Sequence, residues 1–206
     1  MPALNATATK AAVRARLDDT GATRFSVDAD ITTALIEETR YVFEKPLRRE
    51  FEQNIATVGT VQVISSSGTV PLPTADSYVR LIGGTVGGRA FVRVIGEGYV
   101  NRPIGQYDQP TIEEPWLEIR SGVAYILPLL AFYESGQYHK VYFWYLTEPA
   151  VGTVIMPVLL EPIICGAASR LAFQTQEYQL AATLRQQADA HLAPLLEPRQ
   201  PLEPAV

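Results

Sequence analysis

The spacing of hydrophobic residues along this 206-residue chain changes from a helical period to a strand period and back to a helical period. This order restricts the folds that the chain can adopt. Residues 24–43, RFSVDADITTALIEETRYVF, follow a helical period with a clear start. Ser26 is a suitable N-cap, Asp28 and Asp30 fall in the first turn where the helix dipole favours acids, and Pro46 ends the helix. The apolar stripe consists of Val27, Ile31, Ala34, Leu35 and Val42.

Two further observations complete the first helical region. The charged residues Glu37, Glu38 and Arg40 are interpreted as lying outside the apolar stripe. Residues 8–19 predict a shorter preceding helix, because Val13 and Leu17 share one face. The sequence therefore predicts two helices before any strand.

The middle of the chain is rich in β-branched and aromatic residues, and Gly-containing breaks separate its apolar runs. This pattern predicts an antiparallel β domain of about six strands. In the run KVYFWYL both faces are apolar, so the strand should be covered on both sides by helices or by another subunit. The predicted strands lie in residues 61–65, 77–82, 89–95, 116–120, 123–130 and 140–146.

A helical period returns after Pro149 and predicts one long helix that runs to about His191. Pro157 or Pro162 should set its start or a kink near it. Four later prolines exclude helix, so the last dozen residues should be extended or disordered. The apolar stripe of the long helix consists of Leu160, Ile164, Ala167, Leu171, Tyr178 and Ala182.

Together these patterns predict an α+β protein in which a helical bundle from both chain ends carries an inserted antiparallel β domain, sandwich-like or barrel-like. The predicted boundaries are residues 1–58 and 157–194 for the discontinuous bundle. The β domain is predicted over residues 59–150, with a long loop at 96–115. Residues 195–206 are predicted to be an extended, Pro-rich tail.

Candidate reactive residues are few. The two histidines, His139 and His191, lie far apart, which argues against a zinc site and against a Ser-His-Asp triad. GGTVGGR (83–89) lacks the Walker lysine and leads into a strand, so it predicts a hairpin turn instead of a phosphate site. Cys165 is interpreted as a small buried hydrophobe. We expect no enzyme, no cofactor and no bound metal.

The charge and the apolar runs exclude two further classes. A net charge of −5 argues against a protein that coats DNA, although DNA could pass its surface without adhering. The longest apolar run contains Pro157, Glu161 and Pro162 and is too short to span a bilayer. We therefore expect no membrane partner.

The loop at residues 96–115 has no periodicity, and long loops of this kind are often functional. Tyr99, Arg102 and Tyr107 are residue types favoured at interfaces, so they are candidate contacts to a partner protein or to another subunit. The alternative is a glycan-binding or glycoside hydrolase site, with paired acids beside a stacking aromatic. The residues of that alternative are Asp108, Glu113, Glu114 and Trp116.

Most of the chain resembles, in order, the head–tail adaptor (connector) proteins of tailed bacteriophages. The first region is VRARLDDTGATRFSVDADITTALIEETRYVF (13–43), a short helix, a tight turn and a capped helix. The second is WLEIRSGVAYILP (116–128) leading to VYFWYLTEP (141–149), similar to a hydrophobic hairpin before the final helix. The third is MPVLLEPIICGAASRLAFQ (156–174), which resembles the segment that packs back on the N-terminal helices.

The resemblance implies a structural protein of the virion neck, assembled in the host bacterial cytoplasm. Such adaptors form a ring, usually of twelve copies, between the portal protein and the next neck or tail protein. DNA passes through the ring without sequence-specific binding. The C-terminal segment often inserts between portal subunits, so its candidate portal contacts are Leu195, Leu196, Pro198 and Leu202. Another structural tail protein, such as a tail terminator, is the remaining alternative.

Overall fold

The structure of the protein is a computed structural model, and its fold is mixed α+β, which confirms the predicted class. The chain divides into two compact units, one of Met1–Ile55 with Glu148–Val206 and one of Ala56–Thr147. The structure describes residues 3–19, 28–48, 50–51, 57–58, 62–63, 69–71, 78–86, 89–90, 93–95, 111, 113–120, 123–127 and 140–196.

The first unit begins with helices α1 (Thr7–Arg16) and α2 (Asp28–Glu44). Both bury the apolar face that the sequence predicts, with Val13 on α1 and Ile31 and Leu35 on α2 almost inaccessible to solvent. α1 ends in a Schellman motif, in which the amide of Asp19 donates to the carbonyl of Arg14 at 2.9 Å. The predicted cap Ser26 and the stripe residue Val27 lie outside the described residues.

The prediction of one long C-terminal helix is wrong, because two helices occupy this region. These are α3 (Pro157–Gln174) and α4 (Tyr178–Leu192), followed by a short 3-10 turn at Ala193–Leu195. Gln176 has a positive φ of 64° and closes a second Schellman motif, with the amide of Glu177 donating to the carbonyl of Ala172 at 2.9 Å. The break rotates the next helix out of phase, so Tyr178 and Ala182 are exposed instead of buried.

Helix α3 lies at the centre of the first unit and packs against α1, α2 and α4. Pro157 is its first residue, where a missing N–H costs nothing. Residues 162–169 are all buried, so the helix is apolar around most of its circumference. The Ser169 hydroxyl donates to the carbonyl of Ala181 on α4 at 2.7 Å, which satisfies a polar group inside this core.

The described residues of the second unit form strands in two sheets. The strands are β1 Thr57–Val58, β2 Gln62–Val63, β3 Thr69–Pro71, β4 Tyr78–Val86, β5 Arg89–Ala90, β6 Arg93–Ile95, β7 Trp116–Arg120, β8 Val123–Leu127 and β9 Lys140–Thr147. One sheet has the order β1-β9-β4-β5, with β2 also on β9, and the other has the order β3-β8-β7-β6. The buried core of this unit includes Leu117, Ile126, Val141 and Phe143.

One strand pair departs from the predicted antiparallel arrangement, because β6 and β7 run parallel. Parallel neighbours cannot be joined by a tight hairpin, so their connection must cross over. The connection between these two strands is the segment 96–115. Its length is therefore a requirement of the topology and is not by itself a sign of function.

Strand β9 is the most extensively paired strand, since β1, β2 and β4 all pair with it. Val141 and Phe143 on one face are completely buried, as their alternation predicts. On the other face Tyr142 is 36% exposed and Trp144 is half-buried. The second apolar face of β9 therefore ranges from the partly exposed Tyr142 to the fully buried Leu146.

Candidate functional site

The proposed C-terminal contact segment starts from a fixed point on the helical unit. The backbone of Leu196 forms an antiparallel bridge with Leu47, and the amide of Arg48 donates to the carbonyl of Leu195 at 2.9 Å. The Leu195 side chain is 7% exposed. Leu195 is therefore buried in the helical unit, and Leu196 is half-buried.

Two truncated chains measure how much the anchor, residues Leu195 and Leu196 with their backbone pairing to Leu47 and Arg48, contributes to stability. We expect a chain that ends at Pro194 to lose about 1.5 kcal/mol of unfolding free energy relative to one that ends at Leu196, because it loses the buried Leu195 side chain and its backbone pairing. Urea unfolding followed by far-ultraviolet circular dichroism measures the difference. Equal midpoints for the two truncated chains would show that the anchor contributes nothing to stability.

The other five predicted contact residues lie outside the part of the chain that the structure describes: Tyr99, Arg102, Tyr107, Pro198 and Leu202.

The described residues of the proposed glycan site, Glu113, Glu114 and Trp116, do not present an exposed aromatic ring for a sugar to stack on. Asp108 lies outside the described residues. Glu113 is exposed and pairs with Arg89, with an Nη2–Oε1 distance of 2.9 Å. The Trp116 side chain, required as a stacking face, is only 6% exposed. The described part of this region therefore gives the glycan hypothesis no support.

Glu38 is a buried carboxylate of the helical unit, so the prediction that it lies outside the apolar stripe is wrong. It is 1% exposed and accepts from two arginines, Arg170 Nε on α3 at 2.7 Å and Arg185 Nη1 on α4 at 2.8 Å. The sequence contains an indication that Glu38 is buried. Glu38 lies three residues after Leu35 and four before Val42, and this spacing puts it within the apolar stripe of the helix.

The surroundings of Arg185 show how this ion-pair cluster joins three helices. Burial alone lowers the pKa of Arg185, but the charges of Glu38 and Asp189 outweigh it and hold the pKa above its ordinary value. The guanidinium carbon of Arg185 also lies 4.3 Å from the ring centre of Tyr41, a cation–π contact back to α2. The cluster fixes the relative placement of α2, α3 and α4, which is a structural role.

Gly166 on α3 is the residue that gives the Glu38 carboxylate its space. A Cβ atom built at this position overlaps the carboxyl group of Glu38. Glycine in a helix interior normally costs stability relative to alanine, so its presence here has a packing reason. Gly166 and Glu38 are therefore a matched pair across the α2–α3 contact.

A second charge cluster joins α1 to the start of α2. Arg14 donates to Asp19 and to Asp28, at 3.0 Å in each case, and Lys10 lies 3.2 Å from Asp28. The hydrogen bonds from Arg14 and then Lys10 lower the pKa of Asp28. These pairs connect the two N-terminal helices across residues 20–27.

The single cysteine is held in an unreactive form. Cys165 is completely buried in α3, and its Sγ lies 3.6 Å from Oε1 of Glu161. Burial, assisted by Glu161, raises the pKa of the Cys165 thiol to about 11. A thiol in this state is neutral at neutral pH and is a poor nucleophile.

We therefore expect Cys165 in the folded protein to react with DTNB on the order of a hundredfold more slowly than in urea-unfolded protein at the same pH. Both the raised pKa and the closed packing oppose attack by the thiolate. Absorbance of the released thionitrobenzoate measures the two rates. Similar rates in folded and unfolded protein would contradict the buried placement of this side chain.

Large apolar side chains are exposed to solvent around the α3–α4 break and near the start of α3. Phe173 and Tyr178, on either side of the α3–α4 break, are 63% and 58% exposed and contact each other edge to face with ring centres 5.4 Å apart. Val151, Val154 and Val158 are also well exposed. Large exposed apolar groups of this kind are enriched at contacts with other proteins.

Comparison of the chain with protein-family models finds no match, and comparison with curated proteins finds none either.

The described residues contain no group of three or more His, Cys, Asp or Glu side chains placed to hold a metal ion. None of the described helices is long and apolar enough to cross a membrane.

Proposed function

We propose that this chain is a structural protein of the neck of a tailed-bacteriophage virion, a head–tail adaptor that binds the portal protein. The observation that carries the proposal is the backbone pairing of Leu195 and Leu196 with Leu47 and Arg48, which holds the chain to the helical unit immediately before the Pro-rich residues 197–206. The order of the described elements supports it. Helices α1 and α2 come first, the strands of the β unit follow, and α3 begins at Pro157. This is the order of the three sequence regions that resemble head–tail adaptors.

In this proposal the four helices act as a bundle that docks on the portal, and the inserted β unit, sandwich-like or barrel-like, receives the next neck or tail protein. The copies form a ring, expected to have twelve members, in the virion. Pro198 and Leu202 contact the portal, and Tyr99, Arg102 and Tyr107 contact a neighbouring subunit or the next neck protein. The net charge of −5 keeps the DNA that passes through the channel from adhering.

The portal protein encoded in the same genome provides the test. The full chain is mixed with assembled portal, and mass photometry measures the mass of the complex. We expect a new species heavier than the portal by several copies of the 22.7 kDa chain. A chain that ends at Leu196 is the matched control and should bind more weakly, because it lacks Pro198 and Leu202.

Two outcomes would contradict the proposal. The first is an unchanged portal mass at every ratio of the two proteins. The second is binding to a purified tail tube without binding to the portal, which would identify a tail terminator. A truncated chain that binds as well as the full chain would move the portal contact from the C-terminal segment to the helices.

A further inference from the structure

We draw no further inference here: the strongest candidate, the exposed aromatic patch of Phe173 and Tyr178 at the break between α3 and α4, carries none because nothing in the described residues shows what covers it.

Discussion

Replacing Glu38 with alanine is expected to lower the free energy of unfolding by about 3 kcal/mol, because it leaves two guanidinium groups facing a site that lost its carboxylate. The value is at the low end for a broken buried ion pair, since Arg170 and Arg185 are only half-buried and keep some contact with water. Urea unfolding, followed by circular dichroism at 222 nm to report on the helices, measures the change.

The neighbouring residue provides a matched control. Glu37 has the same side chain on the same helix, but it is exposed and lies 3.5 Å from Arg170. Glu37→Ala should change the free energy of unfolding by no more than about 0.5 kcal/mol. Equal losses for the two variants would mean that Glu38 is not the buried centre of the cluster.

Replacing Gly166 with alanine is expected to destabilise the protein by about 2 kcal/mol, although glycine to alanine inside a helix normally stabilises by about 1 kcal/mol. The new methyl group would overlap the Glu38 carboxyl, which is held by both arginines and cannot move away without breaking an ion pair. Thermal or urea unfolding of the variant measures the loss.

Two further variants identify the cause. Gly152→Ala is the control, because nothing lies within 4 Å of a Cβ atom at that position, and it should be nearly neutral. In a Glu38→Ala background, Gly166→Ala should instead stabilise by about 1 kcal/mol, as in an ordinary helix interior, which gives a coupling energy of about 3 kcal/mol between the two positions. Additive losses in the double variant would contradict the proposed steric pairing.

The sequence predicts the type of each region better than its connections. The early acids of α2, the helix start at Pro157 and the alternating burial of Val141 and Phe143 all follow from local patterns. The break between α3 and α4 does not, because Gln176 occupies the left-handed position where glycine would have signalled a helix end. A single non-glycine residue with positive φ leaves no trace in a hydrophobic pattern.

The parallel pairing of β6 with β7 and the ion pairs of Glu38 were missed for a different reason. Strand pairing depends on contacts between distant segments, and the alternation within one strand does not identify its neighbour. The partners of Glu38, Arg170 and Arg185, lie 132 and 147 residues away along the chain. Only the apolar spacing around Glu38 indicated that it is buried.

The candidate C-terminal contacts fall into two groups, Leu195 and Leu196 in the described chain and Pro198 and Leu202 beyond it. The sequence predicts residues 195–206 to be one extended segment, because prolines exclude helix there. The structure assigns Leu195 to the core of the helical unit through a contact with Arg48 that local composition cannot predict. Pro198 and Leu202 remain the proposed contacts with the portal.

Cryo-electron microscopy of the neck of a phage particle that encodes this chain tests the central proposal most directly. We predict a ring of density directly below the portal into which the helical unit, α1 to α4, fits in repeated copies, with a C-terminal segment that extends from Leu196 to the portal. A neck whose density is filled entirely by other proteins, or this chain placed at the far end of the tail, would contradict the proposed adaptor role.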